Sequence, residues 1–189
     1  MRVISNIATG RTGILLAREA KNKGARVTLI LGPTDDCDID KSINIVRFKY
    51  FTELKEKIIN EMKKKNFDIA LHAAAVSDFK PRKEFKGKIK SSAKNLNLKL
   101  IPTEKLVRLF KKLQPKIKLV IFKLELGLST AALIKRVKMA KQEYQADIAV
   151  ANTFHKNGYR AFILTDKKIS GPFYNRRQLA KNLISYLDG

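Results

Sequence analysis

Short apolar runs alternate with amphipathic stretches of helical period along nearly the whole chain. RVTLILG (26–32) is apolar and β-branched and is ended by Gly32-Pro33, which predicts a strand. SINIVRFKYF (42–51) alternates and predicts another. TELKEKIINEMKKKN (52–66) puts Leu54, Ile58, Ile59 and Met62 on one helical face, with Thr52 as the expected N-cap. FDIALHAAAV (67–76) predicts a buried strand, and LNLKLIP (96–102) a half-exposed one. TEKLVRLFKKLQ (103–114) predicts a helix capped by Thr103 and stopped before Pro115. The strand KIKLVIFKLEL (116–126), the helix STAALIKRVKMAKQEYQ (129–145) and the strand ADIAVAN (146–152) follow. After a turn at HKNGY come RAFILTD, KKISGPF and a last helix, NRRQLAKNLISYL (175–187). At the start, RVISN is a short strand or an extended lead-in, and ATGRTGILLAREAKNKGA is a glycine turn opening a helix that Gly24 stops. This alternation predicts an α/β fold, a doubly wound, mostly parallel sheet with right-handed crossovers. No internal repeat or linker divides the chain, so residues 1–189 are read as one domain.

In such a sheet, ligands bind at the carboxyl ends of the strands. Four places fall on that rim. In NIATGRTG, Gly10 and Gly13 open a helix whose free N–H groups suit a phosphate, or they serve a tight turn and close packing. The spacing is neither a Walker motif nor a full dinucleotide fingerprint. At the end of the 67–76 strand, Ala73 and Ala74 leave room for a base or ribose, or for a packed helix. Asp78 follows, as a contact to Mg²⁺ or to ligand hydroxyls and amines, or as a turn residue. Next comes a lysine-rich loop in which Lys88 is a candidate for neutralising a transferring phosphoryl group. Phe122 can cover a nucleobase or belong to the core, and Asn152 ends another strand.

Composition narrows the classes. The charge of +23, from 40 Lys and Arg against 17 Asp and Glu, attracts polyanions, but it is spread over helix faces and not gathered in a tail. Solvated helix faces and small phosphorylated ligands account for it better than nucleic acid does. With two histidines and one cysteine there is no zinc-ligand spacing and no disulfide framework. Cys37, in DDCDID, reads as a bystander thiol in a reducing, cytoplasmic setting. No apolar run reaches the ~18 residues of a membrane span, and MRVISN has no signal pattern. Ser77, His72 and Asp78 are too close in sequence to form a hydrolytic triad.

Taken in order, ISN, TGRTG, VTLILGP, AAAVSDFKP, GKIKS, LKLIPTEK, IFKLE and ADIAVANT resemble phosphopantothenoylcysteine synthetase in its archaeal form, the ligase half of the bifunctional coenzyme A biosynthesis proteins. The resemblance runs from Val3 to about Thr153. It implies a Rossmann-like fold and a homodimer in which the lysine-rich flap reaches the partner. It implies that CTP, with Mg²⁺, activates 4'-phosphopantothenate as an acyl-cytidylate, from which cysteine displaces CMP. By position it makes Asn6 and Lys88 catalytic. It places His72, Ala73, Ala74, Asp78, Pro102, Thr103, Glu104, Lys105 and Phe122 at the nucleotide, with Asp78 also a metal contact. Two lysines expected before the ADI strand fall at Ala140 and Tyr144, leaving Lys141 or Lys138 as substitutes. The family's strand and Gly-Thr-rich loop ahead of ISN are not in this sequence, nor is the decarboxylase half, so no flavin is expected here. The alternatives are a non-catalytic nucleotide-binding remnant, a subunit completed by a partner chain, and a basic nucleic-acid-binding module.

Overall fold

The structure is a computed structural model and describes residues 8–34, 39–83, 97–155 and 158–189. Its centre is a sheet in the order β3-β6-β7-β8-β9, made of β3 (Ile69–His72), β6 (Lys118–Leu124), β7 (Ile148–His155), β8 (Gly158–Leu164) and β9 (Ile169–Phe173). β3, β6 and β7 are parallel, whereas β8 and β9 are antiparallel additions. The expected parallel winding therefore stops at β7. The reason is length: a parallel crossover needs about a dozen residues, and only the short turns after His155 and Leu164 are available. β1 (Thr28–Leu31) and β2 (Asn44–Arg47) form a separate parallel pair. A short antiparallel ribbon joins β4 (Phe79–Pro81) to β5 (Leu100–Pro102), the only strand among the described residues 97–102.

Residues alternate between the two faces of the central sheet, and each face has its own core. Val120, Ile148, Val150, Ala161 and Ile163 pack on Leu16 of α1 (Arg11–Asn22) and on Leu179 and Leu183 of α5 (Arg176–Asp188). On the other face Leu119, Ile121, Ala149, Ala151 and Leu164 pack on Leu133, Val137 and Ala140 of α4 (Thr130–Glu143). A third cluster puts Leu54, Ile58 and Met62 of α2 (Phe51–Lys64) against Leu106, Ile117 and the α3 segment (Arg108–Leu113). Gln114 locks that junction: it donates to the Met62 and Lys65 carbonyls and accepts from the Phe67 N–H.

Two expected caps are displaced. α2 starts at Phe51, so Thr52 lies inside its first turn, and Glu53 reaches back to accept from the Lys49 N–H at 2.7 Å. α3 starts at Arg108, so Thr103 caps nothing; its hydroxyl donates to the Ser77 carbonyl at 2.6 Å. Gly24 does stop α1. At φ 83° it accepts the left-handed turn that lets Ala25 N–H bond the Ala20 carbonyl. The lead-in RVISN, Cys37 and most of the lysine-rich flap lie outside the described residues.

Candidate functional site

The parallel strands β3 and β6 end side by side, with His72 opposite Ile121. After His72 the small residues Ala73 and Ala74 carry the chain off the sheet, and β4 turns back toward the segment before α3. That return is fixed by one strand pairing and two hydrogen bonds. Phe79 pairs with Pro102 across the ribbon, the Thr103 N–H donates to the Asp78 carbonyl at 2.9 Å, and the Thr103 hydroxyl donates to Ser77. The Lys105 ammonium then reaches the Asp78 carboxylate at 2.6 Å. Residues some 25 positions apart in sequence thus close one wall.

The result is a cleft of about 130 Å³ between the β3 and β6 ends, the 103–107 segment and α4. Small-molecule pockets usually exceed ~300 Å³. The enclosed part therefore suits one piece of a ligand, such as a flat ring, with the remainder over the rim. His72, Ala74, Asp78, Thr103, Glu104, Lys105 and Phe122 border it. Seven of the residues assigned to the nucleotide by resemblance are brought together.

Several others are placed differently. Ala73 packs into the α1/α5-face core, and Pro102 sits just behind the wall in β5. Lys141 does not border the cleft. It lies one position past Ala140 on α4, so it turns away and bonds Asp166 at 2.7 Å. Phe122 borders the cleft only at its strand end. Its ring packs with the α1/α5-face core, because adjacent strand residues point to opposite faces and Ile121 holds the cleft face. Gly10, at φ 69°, caps α1 beside Leu31, and Gly13 lies in the first turn. Both belong to the α1/α5 side of the rim, as does Asn152, whose Oδ1 is buried without a protein partner. The rim thus carries candidate groups on two faces, and the cleft is on one. Asn6 and Lys88 lie outside the described residues.

Reading the sequence did not single out Lys123 or Val107 as cleft residues, and it treated Tyr144 only as a position lacking a lysine. The signals were available. Lys123 is two residues past Ile121 on the same strand face, and Tyr144 is one helical turn past Ala140. Tyr144 is braced by the Arg108 guanidinium, 5.5 Å from its ring centroid, and Arg108 pairs with Glu143 at 2.9 Å.

The electrostatics of the cleft are divided. Burial pushes His72 down to about 4, so the imidazole is neutral near pH 7, and its ring meets Phe110 at 5.5 Å. It can hydrogen-bond but cannot supply positive charge there. The cations are Lys105 and Lys123. The Lys105 ammonium is held above its ordinary range chiefly by its hydrogen bond to Asp78. Burial raises the Tyr144 phenol, with Glu143 adding to the effect. The two carboxylates, Asp78 and Glu104, already pair with Lys105 and Lys55. Among the described residues no group of three potential metal ligands occurs. This donor set suits a hard cation arriving on ligand phosphates, with one carboxylate facing it, as is usual for Mg²⁺.

Fold and cleft together define an α/β domain with a candidate site in a cleft at the carboxyl ends of parallel strands. The chain belongs to the family described as the DNA/pantothenate metabolism flavoprotein C-terminal domain, whose profile matches residues 1–187. It is 35% identical over 187 residues to the coenzyme A biosynthesis bifunctional protein CoaBC of Thermococcus kodakarensis, covering 97% of this chain and 46% of that protein. The chain thus spans about half the length of that relative. Its fold matches the DNA/pantothenate metabolism flavoprotein of Streptococcus pneumoniae with a TM-score of 0.87 at 20% identity, over 99% of this chain and 91% of that one. It also matches a Cab2 mutant in complex with phosphopantothenate-cysteine, with a TM-score of 0.78 at 16% identity, over 100% of this chain and 80% of that one.

Proposed function

We propose that this chain is a ligase domain of coenzyme A biosynthesis that joins 4'-phosphopantothenate to cysteine at the expense of CTP. The observation that carries the reading is the cleft itself, which gathers His72, Ala74, Asp78, Thr103, Glu104 and Lys105 from two chain segments distant in sequence. The relative from Thermococcus kodakarensis, named for coenzyme A biosynthesis, supports the pathway. The ligand in the Cab2 complex has the composition of the product.

In the first step a carboxylate oxygen of phosphopantothenate bonds to the α-phosphorus of CTP and pyrophosphate leaves. In the second the cysteine amine bonds to the acyl carbon, CMP leaves and the amine loses a proton. Asp78 accepts from the exocyclic amine of the base, and the Lys105 ammonium, at 2.6 Å, holds that carboxylate in place. Lys105 and Lys123 attract the phosphates, while neutral His72 donates or accepts a hydrogen bond without adding charge. Mg²⁺ would offset repulsion between the two anionic substrates, and Asp78 is the carboxylate that would hold it where it does not take the base amine. Lys88 is assigned to the α-phosphate and Asn6 to the acyl-cytidylate.

Exposed Phe79, Leu98 and Leu100 at the base of the lysine-rich segment support a homodimer built on that ribbon. Among the described residues no helix is long and apolar enough to cross a membrane, and the proposed setting is the cytoplasm. Ala140 and Tyr144, where lysines would be expected, favour a second reading, a nucleotide-binding domain without catalysis.

Pyrophosphate release with CTP, phosphopantothenate and cysteine tests the proposal. Lys88→Gln is expected to abolish release, and Asn6→Asp to spare it while slowing CMP formation with cysteine. A folded chain that binds CTP but releases no pyrophosphate would establish the second reading.

A further inference from the structure

A second groove lies away from the cleft. A groove of about 570 Å³ runs along β2, far in sequence from the ribbon and α4. One wall is the whole of β2, Asn44 to Arg47. The other is a single helical stripe of α2, formed by Lys57, Asn60, Glu61 and Lys64 at the i, i+3, i+4, i+7 spacing.

The backbone of β2 is half used. The Asn44 N–H donates to the Val27 carbonyl at 3.1 Å and the Phe48 N–H to the Leu31 carbonyl at 3.2 Å. Alternate residues of a strand direct their N–H and C=O groups to opposite edges. Residues 44, 46 and 48 therefore serve the β1 ladder, and Ile45 and Arg47 direct theirs outward into the groove. Among the described residues β2 pairs with β1 alone. An edge of this kind is a template for another strand.

Charge selects the occupant. Glu61 is the groove's one carboxylate, and it is buried and paired with Lys64 at 2.7 Å. Lys65 donates to the Thr28 hydroxyl at 3.0 Å. Arg47 and Lys57 have no ion pair among the described residues. The groove is thus cationic, which opposes a second copy of a chain of charge +23. It also presents carbonyls alternating with N–H groups. A peptide backbone matches both, whereas a phosphodiester chain offers only acceptors.

We propose that the β2 edge binds an extended acidic segment of a partner polypeptide as an added strand, with Ile45 and Arg47 supplying the backbone bonds and Arg47 and Lys57 pairing with its carboxylates. At ~3.3 Å per residue the edge spans roughly 13 Å, so the contact is short and the complex transient. The inference is independent of the ligase reading.

Fluorescence anisotropy with the full chain tests it, using a labelled eight-residue peptide of alternating Glu and Val at physiological salt. Saturable binding is expected, weakened about tenfold by Arg47→Glu. Ile45→Pro removes one outward donor and leaves the β1 ladder intact, since proline is tolerated on an edge facing away from its partner. It should weaken binding about fivefold, the loss of one net backbone hydrogen bond. On the unsubstituted chain, a peptide N-methylated at alternate amides should bind in one register of methylation and not in the other. Amide exchange at Ile45 and Arg47 should slow with peptide, while that of Val46 stays as it was. Strand addition is overturned if Ile45→Pro, still folded, binds as tightly as the parent, or if both N-methylated peptides bind equally. It is also overturned if no saturable binding occurs, or if a single-stranded oligonucleotide of equal charge displaces the peptide as readily as unlabelled peptide does.

Discussion

His72 sits at the end of β3 with its imidazole covered by Phe110 and its pKa lowered by burial to about 4. In the unfolded chain it takes up a proton near 6.5. Between those values the unfolded state holds more protons than the folded one, so acidification from pH 6.5 to 4 drains stability. The loss from this residue is at most ~3 kcal/mol, and above pH 6.5 it contributes no pH dependence. Urea denaturation at pH 7 and pH 4.5 should show a smaller loss for His72→Phe than for the parent. Equal losses would mean that the folded imidazole titrates normally. A second residue of this kind is Tyr159, whose hydroxyl is buried without a protein partner and whose pKa burial raises to about 12. Its ring carries the Arg176 guanidinium at 5.1 Å. Tyr159→Phe keeps the ring and deletes an unsatisfied group, so stability should hold or rise by up to ~1 kcal/mol. A drop of more than 1 kcal/mol in the denaturation free energy would show that the hydroxyl has a partner in solution.

At the scale of elements, apolar pattern was enough to locate β1, β6, β7, α2, α4 and α5, because each buries a face that repeats at its own period. Pattern did not reveal that β8 and β9 run antiparallel, although the short turns forced it. Nor did it reveal which strand-end residues share a face. Phe122 and Asn152 look equivalent to His72 along the sequence, yet alternation sends them to the α1/α5 side. The wall of the cleft was legible only through the resemblance, since nothing local says that Ser77 and Asp78 meet Thr103 and Lys105. One element also depends on a glycine with no sequence signature. Gly171 lies in β9 where the pairing shifts register opposite Ala161 and Ile163, at φ 124°. A Cβ there would meet the Ala161 carbonyl oxygen at 2.7 Å and Phe162 Cδ1 at 3.1 Å. Gly171→Ala therefore combines a disfavoured backbone region with a clash against main chain and should cost about 3 kcal/mol or more. Gly24→Ala, also at positive φ but with nothing within 4 Å of its Cβ, should cost only about 1 kcal/mol. Similar losses for the two in urea titrations would remove the steric part of the argument.

For the whole molecule the dominant long-range term is charge. Several ion pairs among the described residues join two exposed partners, as with Lys23–Asp188 and Arg108–Glu143, and exposed pairs contribute only ~0–1 kcal/mol each. With 40 cationic side chains and 17 anionic ones, most lysines and arginines can have no carboxylate of their own. Their mutual repulsion opposes the compact state. Salt acts on both terms, weakening the exposed pairs and the repulsion together as the Debye length falls from ~30 Å at 0.01 M to ~10 Å at 0.1 M. Because like-charge neighbours outnumber paired ones, relief of repulsion should win. Raising sodium chloride from 0.01 to 0.3 M is expected to stabilise the chain by about 1 kcal/mol, which for a domain of this size is a Tm increase of ~2–4 °C. The sign is the decisive part. A Tm that falls with salt would place the net stabilisation in the ion pairs and would remove repulsion as the governing term. The same screening bears on polyanion binding: attraction to nucleic acid that depends on overall charge alone should fade by ~0.2 M salt. Binding of an acidic peptide at the β2 edge, held partly by backbone bonds, should fall less steeply over that range.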